Sequence, residues 1–290
     1  EKMDIRVNFW DSITSRKLIS HYLTLDGVKV SFDQTADSKG KLPANEEALL
    51  DNISNLFLKQ LGQFSVNDSE VIVKKHDGDR IFKVNHLNWL NKGNTHKASG
   101  DVRVDGVSSN HLKLMVNLKG GKRENLAGKV YLQANELNIT PWLDRVLAIE
   151  NDKTNSNLNF DAWLVINKGR PTSLQVELRD NYISWLQADS AHKIAVNDGQ
   201  LSFIKKAQGN EFYLRTSPLT ILQNDKAWQP AIVQIEKGQD ALAGYISSAD
   251  VTGLNDIFSL LNIDEKTQGI LDGLSAKGHV KDLYFKTDEK

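Results

Sequence analysis

With 290 residues, a formal net charge of −1 and no cysteine, the chain is long enough for a substantial core or two small domains. It lacks the basic field that dominates nucleic-acid affinity, so no nucleic-acid partner is expected. Without cysteine there are no disulfides, zinc–thiolate sites or cysteine nucleophiles. No run approaches the roughly eighteen apolar residues of a spanning helix. The chain opens on Glu1 with Lys2-Met3, unlike a start site, and is expected to be a piece of something longer whose targeting signals lie elsewhere.

Residues 4–9 alternate as a first strand. Tyr22–Leu25 and Val28–Phe32 flank Asp26-Gly27, which predicts a hairpin, since Asp-Gly suits the twist of paired strands. Residues 33–44 are polar and read as a loop. From Asn45 the period changes. Leu49, Leu50, Ile53, Leu56, Phe57 and Leu61 fall at helical spacing, with Asn45 as N-cap, acids in the first turn and Gly62 as the stop.

Strands follow: Ser69–Lys75 pairs with Arg80–Trp89 across His76-Asp77-Gly78-Asp79, and Thr95–Asp105, His111–Lys119 and Leu126–Asn135 continue a meander. Leu112, Leu114, Val116 and Leu118 alternate with Lys113 and Asn117, while Met115 breaks the pattern. After Asn135 the chain reaches Thr140-Pro141, an N-cap followed by a proline at the first helical position. A short amphipathic helix with Leu143, Val146 and Leu147 on one face is expected there. The second half predicts strands at 158–166, 173–178, 182–187, 193–196, 201–205, 212–215, 231–235, 241–248 and 279–285, with a helix at 252–261 and a further helical turn within 263–273. Leu126-Ala127-Gly128 recurs as Leu242-Ala243-Gly244, each time as strand, break, short apolar helix. That recurrence suggests a sheet built of repeated units, with 1–147 and 148–290 as sub-repeats of one elongated region. The fold class is mostly β (α+β): a long antiparallel sheet with a few short amphipathic helices, one face of which must be buried against helices, itself or a ligand.

The chemistry-bearing residues form no site. The seven histidines are scattered, with no pair at the spacing of a zinc protease. His76-Asp77-Gly78-Asp79 lacks the rest of a calcium loop. Lys119-Gly120-Gly121-Lys122-Arg123 could hold an anionic headgroup, though a soluble hairpin tip is the simpler reading. No nucleophile elbow, phosphate loop or dinucleotide fingerprint occurs. No enzyme activity, metal or cofactor is expected. Trp89, Trp142, Trp163 and Trp185 lie near strand ends or helix starts, where packing explains them better than sugar stacking.

Leu56–Val71, Leu87-Asn88-Trp89-Leu90 with His96, Ala98 and Gly100, Gly128–Leu143, Ala162-Trp163, Asn167-Lys168-Gly169, Ile183–Leu186 and Lys226–Pro230 occur in an order that resembles the YhdP group of AsmA-like envelope proteins of Gram-negative bacteria. The likeness runs through most of the chain and weakens after about Ile235. It implies a bridge-type lipid carrier: a long twisted sheet curled into an apolar groove along which phospholipid passes between inner and outer membrane, supporting the permeability barrier. It further implies a periplasmic location, tethered to the inner membrane by a transmembrane helix outside this fragment. The expected partners are phospholipid acyl chains and possible other envelope proteins. The candidate lining is Leu112, Leu114, Val116, Leu118, Val130, Leu132, Phe160, Leu164, Val176 and Leu178. The same residues could instead pack beneath the helix at 45–61, and the two readings stand equal for any single residue. The rival functions are a docking module that binds a protein partner and a glycan-binding or glycan-cleaving β-protein.

Overall fold

A computed structural model describes residues 2–7, 20–33, 58–59, 61–74, 80–104, 111–140, 153–187, 190–206, 211–239, 241–251, 253–254 and 278–288. The chain divides into two compact units, 1–133 with 163–171, and 134–162 with 172–290.

The first unit holds β1 (Lys2–Val7), β2 (Ser20–Asp26), β3 (Lys29–Asp33), β4 (Gln63–Lys74), β5 (Arg80–Lys92), β6 (Thr95–Val104) and β7 (His111–Lys119), with parts of β8 (Ala127–Leu137), β9 (Thr154–Asn167) and β10 (Arg170–Gln187). β4 to β7 form the expected antiparallel meander. The expected hairpin at Asp26-Gly27 does not form. β2 and β3 lie one after the other along the same edge of β4 and parallel to it, Leu23–Asp26 beside Phe64–Asn67 and Lys29–Asp33 beside Glu70–Lys74. A two-residue hairpin of the Asp-Gly kind needs both central residues at positive φ. Here Gly27 alone turns left-handed, at φ 67°, while Asp26 stays in the strand. The Gly27 N–H bonds Asn67 O at 3.1 Å and the Glu70 N–H bonds Val28 O at 2.8 Å, carrying the pairing across the break. Parallel pairing needs a long crossover, and residues 34–62 supply the length.

The second unit holds the remainder of β8, β9 and β10, then β11 (Ser190–Lys205), β12 (Phe212–Thr216), β13 (Ile221–Gln223), β14 (Lys226–Ala227), β15 (Val233–Lys237), β16 (Ala241–Asp250) and β17 (His279–Asp288). β12 and β13 share one edge of β11, and β12–β15–β16–β17 continue the antiparallel pairing. Where two strands were expected at 173–178 and 182–187 there is one of 18 residues, and its partner β11 likewise fuses 193–196 with 201–205. The polar residues between look like turns, yet Arg179 still pairs with Asp198 and Asn181 with Val196. β13 and β14 were not foreseen. Their turn, Asn224-Asp225, has both φ angles positive, at 48° and 64°, the twist a two-residue hairpin requires.

Among the described residues the complete helical element is a 3-10 turn at Arg123–Asn125. The helix expected at 45–61 lies outside the described residues, except that Leu58 and Lys59 adopt π-helical geometry. Thr140 has 3-10 geometry, and Val251, Gly253 and Leu254 are helical, but the rest of both expected helices falls outside the described residues. So do 263–273, Trp142 and His76–Asp79.

Candidate functional site

In the first unit β6 serves as a straight reference. Directly opposed residues of an antiparallel ladder share a face, so the partners of its even-numbered positions all lie together. Three unbroken rows result: Val30–Val71–Phe82–Val104, Leu25–Val66–Leu87–Gly100–Leu114 and Leu23–Phe64–Trp89–Ala98–Val116. Ser69–Val84–Val102–Leu112 runs between the first and second. The apolar residues of this face are Phe64 and Val66, then Val71 and Val73 along β4, and Phe82 and Val84, then Leu87 and Trp89 along β5, while Ile72, Ile81 and Leu90 lie on the other face. Strict alternation would send the two halves of each strand to opposite faces. A β-bulge prevents this: the β5–β6 register shifts between Val84 and His86, and Asp68 of β4, at φ 44°, drops out of its ladder beside it.

A side chain also smooths the face. A Cβ on Gly100 would lie 2.9 Å from Leu87 Cδ1, so Leu87 fills the space above that glycine. Beside these rows sits a polar knot. His96 is fully buried, with Nδ1 2.6 Å from Asn91 Oδ1 and Nε2 2.7 Å from Gly120 O. The Trp89 indole N–H donates to Asn91 Oδ1 at 2.7 Å, and Asn91 Nδ2 donates to Leu61 O at 2.5 Å.

In the second unit β9 is the reference. Arg179 pairs with Asp161 at 2.5 Å, and the Tyr182 hydroxyl accepts from Asn155 at 3.3 Å. Asn155 and Asp161 lie on one face of β9, so Arg179 and Tyr182 share that face, and line one groove, although they are three positions apart. Leu178 and Ile183 therefore share the other, with Phe160. The inversion falls at Asp180, φ 48°. The row Leu174–Phe203–Leu214–Ile235–Gly244–Phe285 crosses six strands, and Val176–Leu201–Thr216 lies beside it. Gly244 is roofed by the Phe285 ring and Gly199 by Leu219.

The ten candidate lining residues divide between the units. Leu112, Leu114 and Val116 end three of these rows and Leu118 stands opposite the buried His96, all in the first unit, which also contains Val130, Leu132 and Leu164; Phe160, Val176 and Leu178 belong to the second. Leu118 is buried and the others are half-buried. Met115 lies on the opposite face and is 56 % exposed. Sequence reasoning missed Phe64, Phe82, Leu87, Leu174, Leu201, Phe203 and Phe285 as members of these faces. An apolar alternation that changes parity at an Asp or Asn is the signal that would have found them. Trp89 stacks on Phe64 at 5.8 Å and Trp185 is 2 % exposed against His192, so both are packing residues.

Chemically, each face offers hydrocarbon contact with few polar groups. Among the described residues no cluster of three His, Asp or Glu could hold a metal, and no helix is long and apolar enough to cross a membrane. The class so defined is a β-sheet protein whose candidate site is a broad, half-exposed apolar face. The chain belongs to the YhdP family, which it matches along residues 1–290. It is 25% identical over 231 residues to the intermembrane phospholipid transporter YhdP of Escherichia coli (strain K12). That match covers 79% of this chain and 18% of the relative, so the chain spans under a fifth of the relative's length. No solved structure matches it.

Proposed function

We propose that this chain is a segment of a bridge-like phospholipid carrier that works between inner and outer membrane and sustains the outer-membrane barrier. It lies in the periplasm, with the inner-membrane anchor and any envelope partners contributed from outside the segment. The observation that carries the reading is the phase inversion in each unit, which keeps apolar side chains on one face across strands that would otherwise turn them away. Exposing an acyl chain to water costs about 0.8 kcal/mol per methylene, so a sixteen-carbon tail needs on the order of 10 kcal/mol of continuous shelter. Five strands at about 4.8 Å spacing give a face roughly 20 Å across, enough to cover such a tail. Movement along it requires similar affinity at successive positions, which rows of Val, Leu and Phe provide without a specific contact. On this reading Leu112, Leu114, Val116, Leu118, Val130, Leu132, Phe160, Leu164, Val176 and Leu178 touch acyl chains, and the segment acts without catalysis.

Native mass spectrometry of the purified chain, with organic extraction of what is bound, tests this. The expected result is phospholipid at reproducible stoichiometry, lost in the Val116→Asp, Leu132→Asp double variant while its circular dichroism stays unchanged. A folded chain that remains lipid-free after incubation with liposomes would overturn the reading and leave a protein-docking module in its place.

A further inference from the structure

On the polar face of the second unit, behind Leu158 and Phe160, lies a groove of about 510 Å³ where the strands break phase. Its lining is unusual for a solvated sheet. Its acids are Glu136 and Asp180, its cations Arg179 and Lys193 are ion-paired with Asp161 and Asp225, and carboxamides dominate the remainder. Two of these serve the fold: Asn159 Oδ1 accepts from the Glu136 N–H and Asn181 Oδ1 from the Asn159 N–H, each at 2.7 Å. Asn157 accepts from Asn159 Nδ2 at 2.8 Å and so holds it in place. Two others do not need to be asparagine for the strands to pair: the side chains of Asn135 and Asn197 have no hydrogen-bond partner among the described residues. Asparagine is disfavoured in strands, so two in one groove without a structural duty call for another explanation.

We propose that this groove binds a neutral, hydroxyl-rich glycan. A carboxamide presents a donor and an acceptor side by side, which matches adjacent sugar hydroxyls that both give and take hydrogen bonds. With both lining cations already ion-paired a polyanion is disfavoured, and the volume falls in the range of small-molecule sites. The Tyr182 ring also lines the groove, with the Lys193 ammonium over one of its faces, 5.3 Å from the centroid. The apolar face lies on the other side of the same strands, so glycan and lipid would not compete.

The full chain is titrated by calorimetry with chitotetraose and, separately, maltotetraose. Saturable binding of either is expected, weakened about ten-fold or more by the Asn135→Ala, Asn197→Ala double variant, each substitution removing hydrogen bonds that only the ligand makes. Both positions are exposed, so the variant should fold; should it not, Asn197→Ala alone gives the same comparison. No binding of either sugar, or binding that the variants leave unchanged, overturns the proposal. Extracted phospholipid is measured in the same samples. Its persistence in the double variant separates this site from the lipid reading.

Discussion

The two units face one requirement and meet it differently. Each contains strands that break phase midway, and each keeps most of its apolar residues on one face. In the first unit β4 and β5 keep register past Asp68, with Ser69 Oγ accepting from the Val28 N–H at 3.1 Å, and an extra residue in β5 then absorbs the break, so β6 and β7 run on undisturbed. In the second, β10 and β11 likewise keep their register through the break, and a larger set of polar side chains stands in for lost backbone bonds. Asn159 and Asn181 do so near Asp180; farther along, Ser217 Oγ accepts from the Gln200 N–H at 2.9 Å and Ser247 Oγ from the Ile232 N–H at 2.8 Å. A bulge is a property of chain length and survives loss of one side chain. A seam of asparagines and serines does not, because a partly buried N–H left unpaired costs its full desolvation.

That contrast can be broken by substitution. Asn181→Ala removes the acceptor of the Asn159 N–H at a buried position. We expect a loss of about 2–3 kcal/mol in urea unfolding, with amide exchange accelerated around 157–161. Asn85→Ala, in the first unit's bulge, loses one bond to the partly solvated Asp101 carboxylate and should cost less, about 1.5 kcal/mol. Equal costs would mean that the two breaks are not held differently.

The recurring Leu-Ala-Gly triplets give a second contrast. A Cβ on Gly128, at φ 150°, would lie 2.1 Å from Asn117 O, whereas one on Gly244 would meet the Phe285 ring. Backbone cannot yield, but a ring that is 44 % exposed can swing outward. Gly128→Ala is expected to cost about 2 kcal/mol or more and Gly244→Ala about 1 kcal/mol or less, read as shifts in Tm. The smallest effects concern the left-handed aspartates. Asp180→Gly relieves a positive φ and should change stability by roughly 0.5 kcal/mol in either direction, relief offsetting chain entropy. Asp282→Gly has a different signature. The Tyr245 hydroxyl donates to Asp282 at 2.8 Å, and this bond first, then burial and the nearby charge, holds its pKa above the ordinary 10.0. Its folded-state pKa is raised, so the bond's contribution is present below pH 10 and fades as pH rises through the folded value. In Asp282→Gly a phenolate absorbance titration should return Tyr245 toward the ordinary value.

Much of the fold was legible because strand alternation is a local property. The meander of β4–β7 and the parity of Leu112 to Leu118 both follow from side-chain period. What failed were inferences that treated a polar interruption as an end. Asp26-Gly27 reads as a hairpin and is a break along one edge; Arg179–Asn181 reads as a loop and is the middle of an 18-residue strand. Composition is the same in either case, and the outcome depends on which strand lies alongside.

The candidate site divides in the same way. The sequence by itself determined that long runs of alternating Val, Leu, Ile and Phe would form sheet with one apolar side, because that period is written into each strand. Which halves of β4, β5 and β10 share a face was decided only by tertiary pairing. A bulge or a left-handed residue inverts parity, and nothing local distinguishes an aspartate that does so from one that ends a strand.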